Sequence, residues 1–276
     1  MAHPCSHTSP PRPLSLSTSL SLAHCQDSFA LVDALAAAAT TTWLTRPPVL
    51  CVEKQEEIQG EGRRLPTTTT TPLTPPPPPP PPPFPRCVEV GVGSGYVSAS
   101  LLTLARQAAD ARRRAGGGCE ASTSAPATPA IVAVDLSPAA VRDAASTLAD
   151  TGHGGAPAGL VLADLAGPLL ARLAGRVDVL AFNPPYVPTP PEEVTSGGIA
   201  AAWAGGHRGR VVIDRALPAL AALLAPGGGE AFIVTVAENA PAEVLAEMAR
   251  LGAPGEVVLE RGADEERLVV LRCRKP

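Results

Sequence analysis

From Arg86 onward, short apolar runs alternate with longer segments of helical periodicity. This alternation is typical of repeated strand–helix units around a parallel sheet. Strands are predicted at 87–91, 130–135, 159–162, 177–182, 230–236, 256–260 and 267–273. The most regular helices are predicted at Val97–Arg114, Pro138–Leu148, Val211–Leu224 and Pro241–Leu251. Only the short loop Arg261–Glu266 joins the last two strands, so they are expected to pair antiparallel. The sequence therefore predicts an α/β, Rossmann-like sheet of seven strands that ends in an antiparallel hairpin.

Two upstream segments lack the composition of a folded core. Residues 1–26 are rich in Ser, Pro and Thr and carry a single charged residue. The stretch 49–85 includes nine consecutive prolines, Pro75–Pro83, which favour an extended polyproline rod over a sheet strand. Between these segments, Phe29–Ala39 is rich in helix formers and predicts a short helix.

These compositions predict how the chain is organised. We expect four regions. Residues 1–26 are a disordered or wrongly assigned N-terminal tail, and residues 27–48 form an N-terminal helix of the main domain. Residues 49–85 are a disordered Pro/Thr-rich insertion, and residues 86–276 form the core. The triplet Cys-Val-Glu occurs at 51–53 and again at 87–89. This repetition favours an inserted loop with a duplicated boundary, and a proline-rich docking segment is the alternative.

The charge balance and the cysteines argue against several function classes. The chain has 22 Lys and Arg against 26 Asp and Glu, a net charge of −4, without the basic excess expected of a stable nucleic-acid binder. Six cysteines occur without a CxxC pair, which suggests free thiols and neither a zinc site nor a disulfide framework. No apolar stretch resembles a membrane span. We therefore expect a cytoplasmic protein, with the nucleus as a further location.

Acidic residues and glycines mark the ends of the first three predicted strands. The first strand runs into Glu89-Val90-Gly91-Val92-Gly93-Ser94-Gly95, where the glycines permit a sharp turn and close approach of a ligand. The second strand ends at Asp135 and the third at Asp164, which Leu165 follows. Such strand ends meet at one edge of a parallel sheet, where one carboxylate can hold a ribose diol and another an adenine amino group.

Each aspartate alone is equally consistent with an ordinary helix cap. Their order along three strands instead favours a donor molecule that contains ribose and adenine. No lysine follows the glycines, which argues against a phosphate-binding loop. The candidate donor-binding residues from this pattern are Glu89, Gly91, Gly93, Asp135, Asp164 and Leu165.

The fourth predicted strand is followed by Asn183-Pro184-Pro185-Tyr186. Two prolines stop the strand and leave carbonyl groups outside regular pairing. The Asn183 side-chain oxygen and the Pro184 carbonyl are each able to accept a proton from a planar NH2 group, while the Tyr186 ring covers that group. A strand that simply ends in a proline turn is the alternative. The catalytic candidates are Asn183, Pro184 and Tyr186, and Pro185 joins Asn183 and Tyr186 as a substrate-binding candidate.

The segment Ala181–Asp214, with its NPPYVPTPPEE and AWAGGHRGRVVID stretches, resembles the eukaryotic HemK-type glutamine methyltransferases. These are class I S-adenosylmethionine-dependent methyltransferases. The resemblance covers roughly Gln26–Leu44 and Arg86–Pro276, and it implies the class I methyltransferase sheet. It further implies that S-adenosylmethionine is held by the six candidate donor-binding residues from Glu89 to Leu165, together with Asn183 and Ser28. In this family a Glu-Asp-Thr-Phe sequence contacts the donor, and here it reads Gln26-Asp27-Ser28-Phe29.

The resemblance also implies a substrate and a partner. The expected reaction methylates the side-chain amide of a glutamine in the GGQ motif of the class 1 translation release factor, with no metal in this chain. The expected partner is a small zinc-binding activator subunit, with the predicted strand Gly159–Leu162 as a plausible contact edge. The alternatives are methylation of the adenine amino group in DNA, methylation of protein lysine, and a catalytically impaired scaffold subunit.

Overall fold

A computed structural model describes residues 20–39, 86–115, 130–154, 158–195, 198–263 and 266–276. Within these residues a seven-stranded sheet has the order β3-β2-β1-β4-β7-β9-β8 and a small second sheet pairs β5 with β6. The strands are β1 (Arg86–Val90), β2 (Ala130–Asp135), β3 (Ala158–Leu162), β4 (Val179–Phe182), β5 (Val187–Pro188), β6 (Ala204–Gly206), β7 (Glu230–Val236), β8 (Gly255–Ala263) and β9 (Glu266–Arg274). The α-helices are α1 (Leu20–Ala38), α2 (Tyr96–Ala115), α3 (Pro138–Asp150), α4 (Leu170–Leu173), α5 (Pro191–Thr195), α6 (Val211–Leu223) and α7 (Pro241–Arg250).

The centre of the sheet is parallel and its C-terminal end is antiparallel. Strand β1 pairs parallel with β2 on one side and with β4 on the other, while β9 runs antiparallel to both β7 and β8. Residues of β4 and β7 are buried throughout, as expected for strands covered on both faces. The connection that follows β1 leads to β2, and the connection that follows β4 leads to β7 on the opposite side. The carboxyl ends of β1 and β4 therefore flank a crevice of the kind in which such sheets bind ligands. The predicted α/β sheet with an antiparallel hairpin is confirmed.

Helix α1 packs onto this sheet and forms part of the folded core. It contacts α2 and the strands β7, β8 and β9, through buried side chains that recur on one side of the helix, Ala30, Leu31, Ala34, Leu35 and Ala38. On its exposed side, Asp33 pairs with Arg261 of β8 at 2.6 Å. The N-terminal helix is thereby tied to the far end of the chain.

Several predicted boundaries were wrong. The helix predicted over Phe29–Ala39 begins earlier, at Leu20, so residues 20–26 of the predicted tail are helical; this segment has no proline and is rich in Leu and Ala, which extend a helix. The hairpin strands are longer than predicted, because β8 and β9 occupy most of the predicted loop 261–266. Strands β5 and β6 were missed, since two or three residues with Pro and Gly carry no strand pattern.

The remaining predictions about the upstream segments fall largely outside the described residues. They concern residues 1–19 of the tail and the insertion at 49–85. The division into four regions therefore stays a prediction. Among the helices that the structure describes, none is long and apolar enough to cross a membrane.

Candidate active site at the carboxyl ends of the strands

The glycine turn after β1 crosses to the neighbouring strand β2. The amides of Gly91 and Val92 both donate hydrogen bonds to the Val134 carbonyl, at 2.8 and 3.0 Å. Gly91 has a φ of +78° and its main chain lies against the next strand, because a Cβ there would lie 3.2 Å from the Asn183 carbonyl oxygen. Glycine is required by this backbone conformation. The turn thus places a predicted donor-binding residue beside the predicted catalytic segment.

Asp135 organises the end of β2. Its Oδ2 accepts a hydrogen bond from the Gly93 amide at 3.0 Å, and its Oδ1 accepts one from the Ser137 amide at 2.8 Å. The N-cap of α3 is Ser137, whose hydroxyl accepts from the Ala140 amide. Asp135 is therefore not the capping residue, and its carboxylate lies at the glycine turn as the strand pattern requires.

Asp164 and Leu165 follow β3 in an exposed turn. The Ala163 amide donates to the Asp135 carbonyl at 2.9 Å, which brings the two predicted acidic strand ends together. Leu165 has a φ of +55°, a left-handed conformation that costs a leucine on the order of 1–2 kcal/mol and is found preferentially at functional sites. Asp164 pairs with Arg215 of α6 at 2.6 Å. Arg215 was missed by the sequence reasoning, because 51 residues separate the two partners.

Glu89 lies beneath the turn and is buried. Its side chain is 2% exposed and accepts a hydrogen bond from the Ser98 hydroxyl of α2. Burial raises the pKa of Glu89 to about 8, with a smaller upward contribution from the charge of Asp135. The Ser98 hydrogen bond opposes this rise because it favours the carboxylate. Burial therefore favours the neutral acid form of Glu89.

Asn183 has a buried acceptor that none of the described residues satisfies. Its Oδ1 is inaccessible to solvent and receives no hydrogen bond from the described residues. Such an oxygen costs about 1–3 kcal/mol of stability unless a ligand or water supplies a donor. Pro184, next in the chain, is buried as well. The end of β4 thus presents an unsatisfied acceptor at the position from which the sequence predicts substrate binding.

Tyr186 is buried and held at its hydroxyl. The side chain is 7% exposed, and its hydroxyl donates a hydrogen bond to Asp27 of α1. Ser28, the predicted donor contact, is half-buried directly after Asp27. Helix α1 therefore brings a predicted donor residue to the catalytic segment. Whether the Tyr186 ring covers an acceptor amide stays a prediction.

Asn239 and Gly209 contact the backbone carbonyl of Tyr186 in the catalytic segment. Asn239 accepts a hydrogen bond from the Val236 amide at 2.8 Å and donates to the Tyr186 and Arg208 carbonyls at 2.8 and 2.9 Å. The Gly209 backbone approaches so closely that a Cβ would lie 1.8 Å from the Tyr186 carbonyl oxygen. The resemblance includes both stretches, but the residue types alone do not reveal that they meet at Tyr186.

The site fits a methyl donor with an adenosine and a planar nitrogen as acceptor. Gly93 has a φ of +50° with open space where a Cβ would stand, and the carboxylates of Asp135 and Asp164 lie on the same edge as the unsatisfied Asn183 oxygen. His207 lies exposed in the turn before Gly209. Over the described residues, no group of three or more His, Cys, Asp or Glu side chains is arranged to hold a metal ion.

Comparison with known proteins places the chain in a family. The mouse protein methyltransferase HEMK2 is 42% identical over 189 residues, which are 68% of this chain and 77% of the mouse protein. The eRF1 methyltransferase catalytic subunit mtq2 of Schizosaccharomyces pombe is 40% identical over 103 residues, 37% of this chain and 44% of that protein. A chain of the solved E. cuniculi Mtq2-Trm112 complex covers 70% of this chain and 86% of its own length, with 24% identity and a TM-score of 0.47. No protein-family model matches.

The identity to the mouse protein extends over most of both sequences and confirms the resemblance expected from the sequence. The chain belongs to the HEMK2 family of S-adenosylmethionine-dependent methyltransferases.

Proposed function

We propose that this chain transfers a methyl group to the side-chain amide nitrogen of a protein glutamine, most specifically in the GGQ motif of the eukaryotic class 1 release factor. The observation that carries this proposal is the buried, unsatisfied Oδ1 of Asn183 at the end of β4. A glutamine amide supplies the N–H donor that this oxygen lacks, and its planar shape suits a rigid acceptor.

The site residues orient the acceptor nitrogen and respond to its change in charge. The lone pair of an amide nitrogen is delocalised, so the nitrogen is a weak nucleophile and gains from being held in line with its reaction partner. Asn183 Oδ1 and the Pro184 carbonyl accept its two N–H groups. As positive charge develops on the nitrogen, the same two acceptors become stronger partners and stabilise it. The amide proton becomes acidic at that stage and passes to water, so a strong base is not required.

The donor is assigned to the edge formed by β1, β2 and β3. S-adenosylmethionine supplies an electrophilic methyl group on a sulfonium when it is bound. Asp135 and Asp164 are the acceptors for its ribose and adenine groups, Gly93 leaves open space for it, and Gly91 lets the turn lie against Asn183. Ser28, Glu89, Leu165 and Asn183 complete the proposed set.

The choice of a protein acceptor is supported by the surroundings of Asn183. Glu192 is exposed and Glu193 is half-buried in the first turn of α5, shortly after the catalytic segment. Carboxylates at this position repel a nucleic-acid backbone. The S. pombe relative is an eRF1 methyltransferase by name, which supports the release factor as the protein in question.

We also propose that the chain works as one subunit of a pair, with a small zinc-binding activator as the other. The S. pombe relative is a catalytic subunit by name. Strand β3 is an edge strand of the sheet that the structure describes, and Leu162 at its end is 57% exposed. An unpaired strand edge with exposed apolar side chains is a suitable surface for a second chain.

A methyl-transfer assay tests the proposal directly. The chain, co-expressed with the activator, is incubated with labelled S-adenosylmethionine and either the GGQ-containing release-factor domain, the same domain with the glutamine replaced by asparagine, or duplex DNA. Label is expected on the first acceptor alone. Label on DNA with none on the protein glutamine contradicts the proposal, and label on a lysine of both protein domains identifies the lysine reaction instead.

A further inference from the structure

Tyr186 is fixed at both ends by residues that are remote in sequence. Its hydroxyl donates to Asp27, 159 positions away on α1. Its backbone carbonyl accepts from Asn239 Nδ2 at 2.8 Å. Asp27 is 4% exposed and Tyr186 is 7% exposed, so water has little access to replace a lost hydrogen bond. The two contacts together restrict both the position and the rotation of the tyrosine.

The carboxylate of Asp27 sits on a helix that is itself well held. One turn further along α1, Ala30 and Leu31 are completely buried, and the helix contacts α2 and three strands of the sheet. Close-packed side chains of this kind resist small displacements. Asp27 is therefore a fixed reference point for the Tyr186 hydroxyl.

The segment between Tyr186 and Asn183 is stiff. Pro184 and Pro185 both have restricted φ angles, and each proline also limits the residue before it. At the other end, the Asn183 carbonyl lies against Gly91, leaving 3.2 Å to a Cβ position there. A shift of Tyr186 is therefore transmitted along the backbone to Asn183, with few soft torsions to absorb it.

We infer that Asp27 is a positioning residue for methyl transfer: through its hydrogen bond to Tyr186 it holds Asn183 in the orientation that the acceptor requires, and α1 is by this means part of the active site. The inference rests on the proposed function for the identity of the acceptor. It does not depend on that function for the physical coupling between Asp27, Tyr186 and Asn183.

NMR of a chain labelled with fluorotyrosine and nitrogen-15 tests this coupling without any substrate. The chain has two tyrosines, so fluorotyrosine labelling of a Tyr96→Phe variant leaves a single signal, from Tyr186. Asp27→Ala is expected to shift this signal and also the side-chain amide resonances of Asn183, which are assigned by their loss in Asn183→Ala. Asp27→Asn keeps an oxygen acceptor and is expected to produce smaller shifts.

Asp33→Ala is the matched control on the same helix. Asp33 pairs with Arg261 at 2.6 Å, and its side chain is 57% exposed, so its removal perturbs the α1 surface without reaching Tyr186. Both sets of resonances are expected to stay in place in this variant. If Asp27→Ala, with its fold intact by circular dichroism, leaves the Asn183 resonances unmoved, the inference is overturned. If that variant does not fold, Tyr186→Phe gives the same decision through the Asn183 resonances.

Kinetics with the release-factor domain provide the second readout. Asp27→Ala and Tyr186→Phe are each expected to lower kcat about 10-fold or more, because small misplacements of reacting groups have effects of this size. The affinity for S-adenosylmethionine should stay within about threefold, and the double variant should be no slower than the slower single variant, since both remove one interaction. Effects that multiply in the double variant contradict the inference.

The two readouts also separate this inference from the proposed function. A wild-type chain that methylates no protein glutamine, but in which Asp27→Ala moves the Asn183 resonances, contradicts the proposed function alone. An active wild type in which Asp27→Ala alters neither kcat nor the resonances contradicts the inference alone.

Discussion

The backbone amide of Gly93 donates a 3.0 Å hydrogen bond to Oδ2 of Asp135, 42 positions along the chain. The other oxygen of this carboxylate accepts the Ser137 amide at 2.8 Å. One side chain therefore fixes the glycine turn after β1 and the start of the connection from β2 to α3. A ligand that reaches the turn meets the Asp135 carboxylate already oriented.

Asp135→Ala is expected to weaken binding of S-adenosylmethionine by about 10- to 100-fold, because hydrogen bonds to a charged group contribute about 1.5–3 kcal/mol. Loss of the Gly93 contact adds to the effect by freeing the turn. Isothermal titration calorimetry measures the change. Asp143→Ala, an exposed aspartate on the following helix α3, is the matched control and should bind as the wild type does. Equal affinities for the two variants contradict the assignment of Asp135 to the donor site.

Local sequence patterns were sufficient to predict that several candidate residues share one edge of the sheet. Glu89, Asp135, Asp164 and Asn183 each follow or end an apolar run, so the parallel sheet alone brings them to a common edge. The supporting contacts arise differently. Ser98 meets Glu89 because α2 folds back over β1, and nothing in its local sequence distinguishes it from other helix serines.

Long-range contacts were the part that the sequence did not reveal. The pairing of Asp164 with Arg215 depends on how α6 lies against the end of β3. The hydrogen bonds that Tyr186 makes with Asp27 and Asn239 depend on how distant elements of the domain pack together. Residue type and spacing do not predict such contacts, whereas strand ends and glycine turns are recognised from local patterns.

Asn183→Ala is expected to lower kcat by about 100-fold or more, which is the usual effect of removing a group that stabilises developing charge. Donor affinity should fall less than it does in Asp135→Ala, since Asn183 is one of several proposed donor contacts and the alanine leaves Asp135 and the glycine turn unchanged. Single-turnover rates and donor titrations on the same preparation measure the two quantities. A variant that loses donor binding yet turns over normally at saturating donor would assign Asn183 to the donor alone.

The pKa of Glu89 predicts a dependence of stability on pH. Burial raises this pKa from 4.5 to about 8, so between these values the folded protein binds more protons than the unfolded chain. The contribution is therefore present at low pH and is lost as pH rises towards about 8, by at most about 1.4 kcal/mol per pH unit. Urea unfolding from about pH 7 to about pH 8 should show this fall in wild type and a flatter profile in Glu89→Gln.

His153 does not obscure that comparison. Burial, assisted by the charge of Arg106, lowers its pKa below 6.5. The unfolded chain then binds the extra proton, so His153 reduces stability only as pH falls below its unfolded value. The pH range chosen for Glu89 lies above this window. A wild-type profile that rises across the range contradicts the assigned protonation of Glu89.

Gly209→Ala is expected to destabilise the fold and to slow catalysis, because the new Cβ would stand 1.8 Å from the Tyr186 carbonyl oxygen. The residue also has a φ of +67°, which alone costs an alanine about 1 kcal/mol. Gly152→Ala separates the two causes, since Gly152 has a φ of +77° with no atom within 4 Å of its Cβ position. Urea unfolding should therefore show a clearly larger loss for Gly209→Ala, and kcat should fall in that variant alone. Equal losses in both variants mean that the contact with Tyr186 relaxes freely and does not hold the catalytic segment.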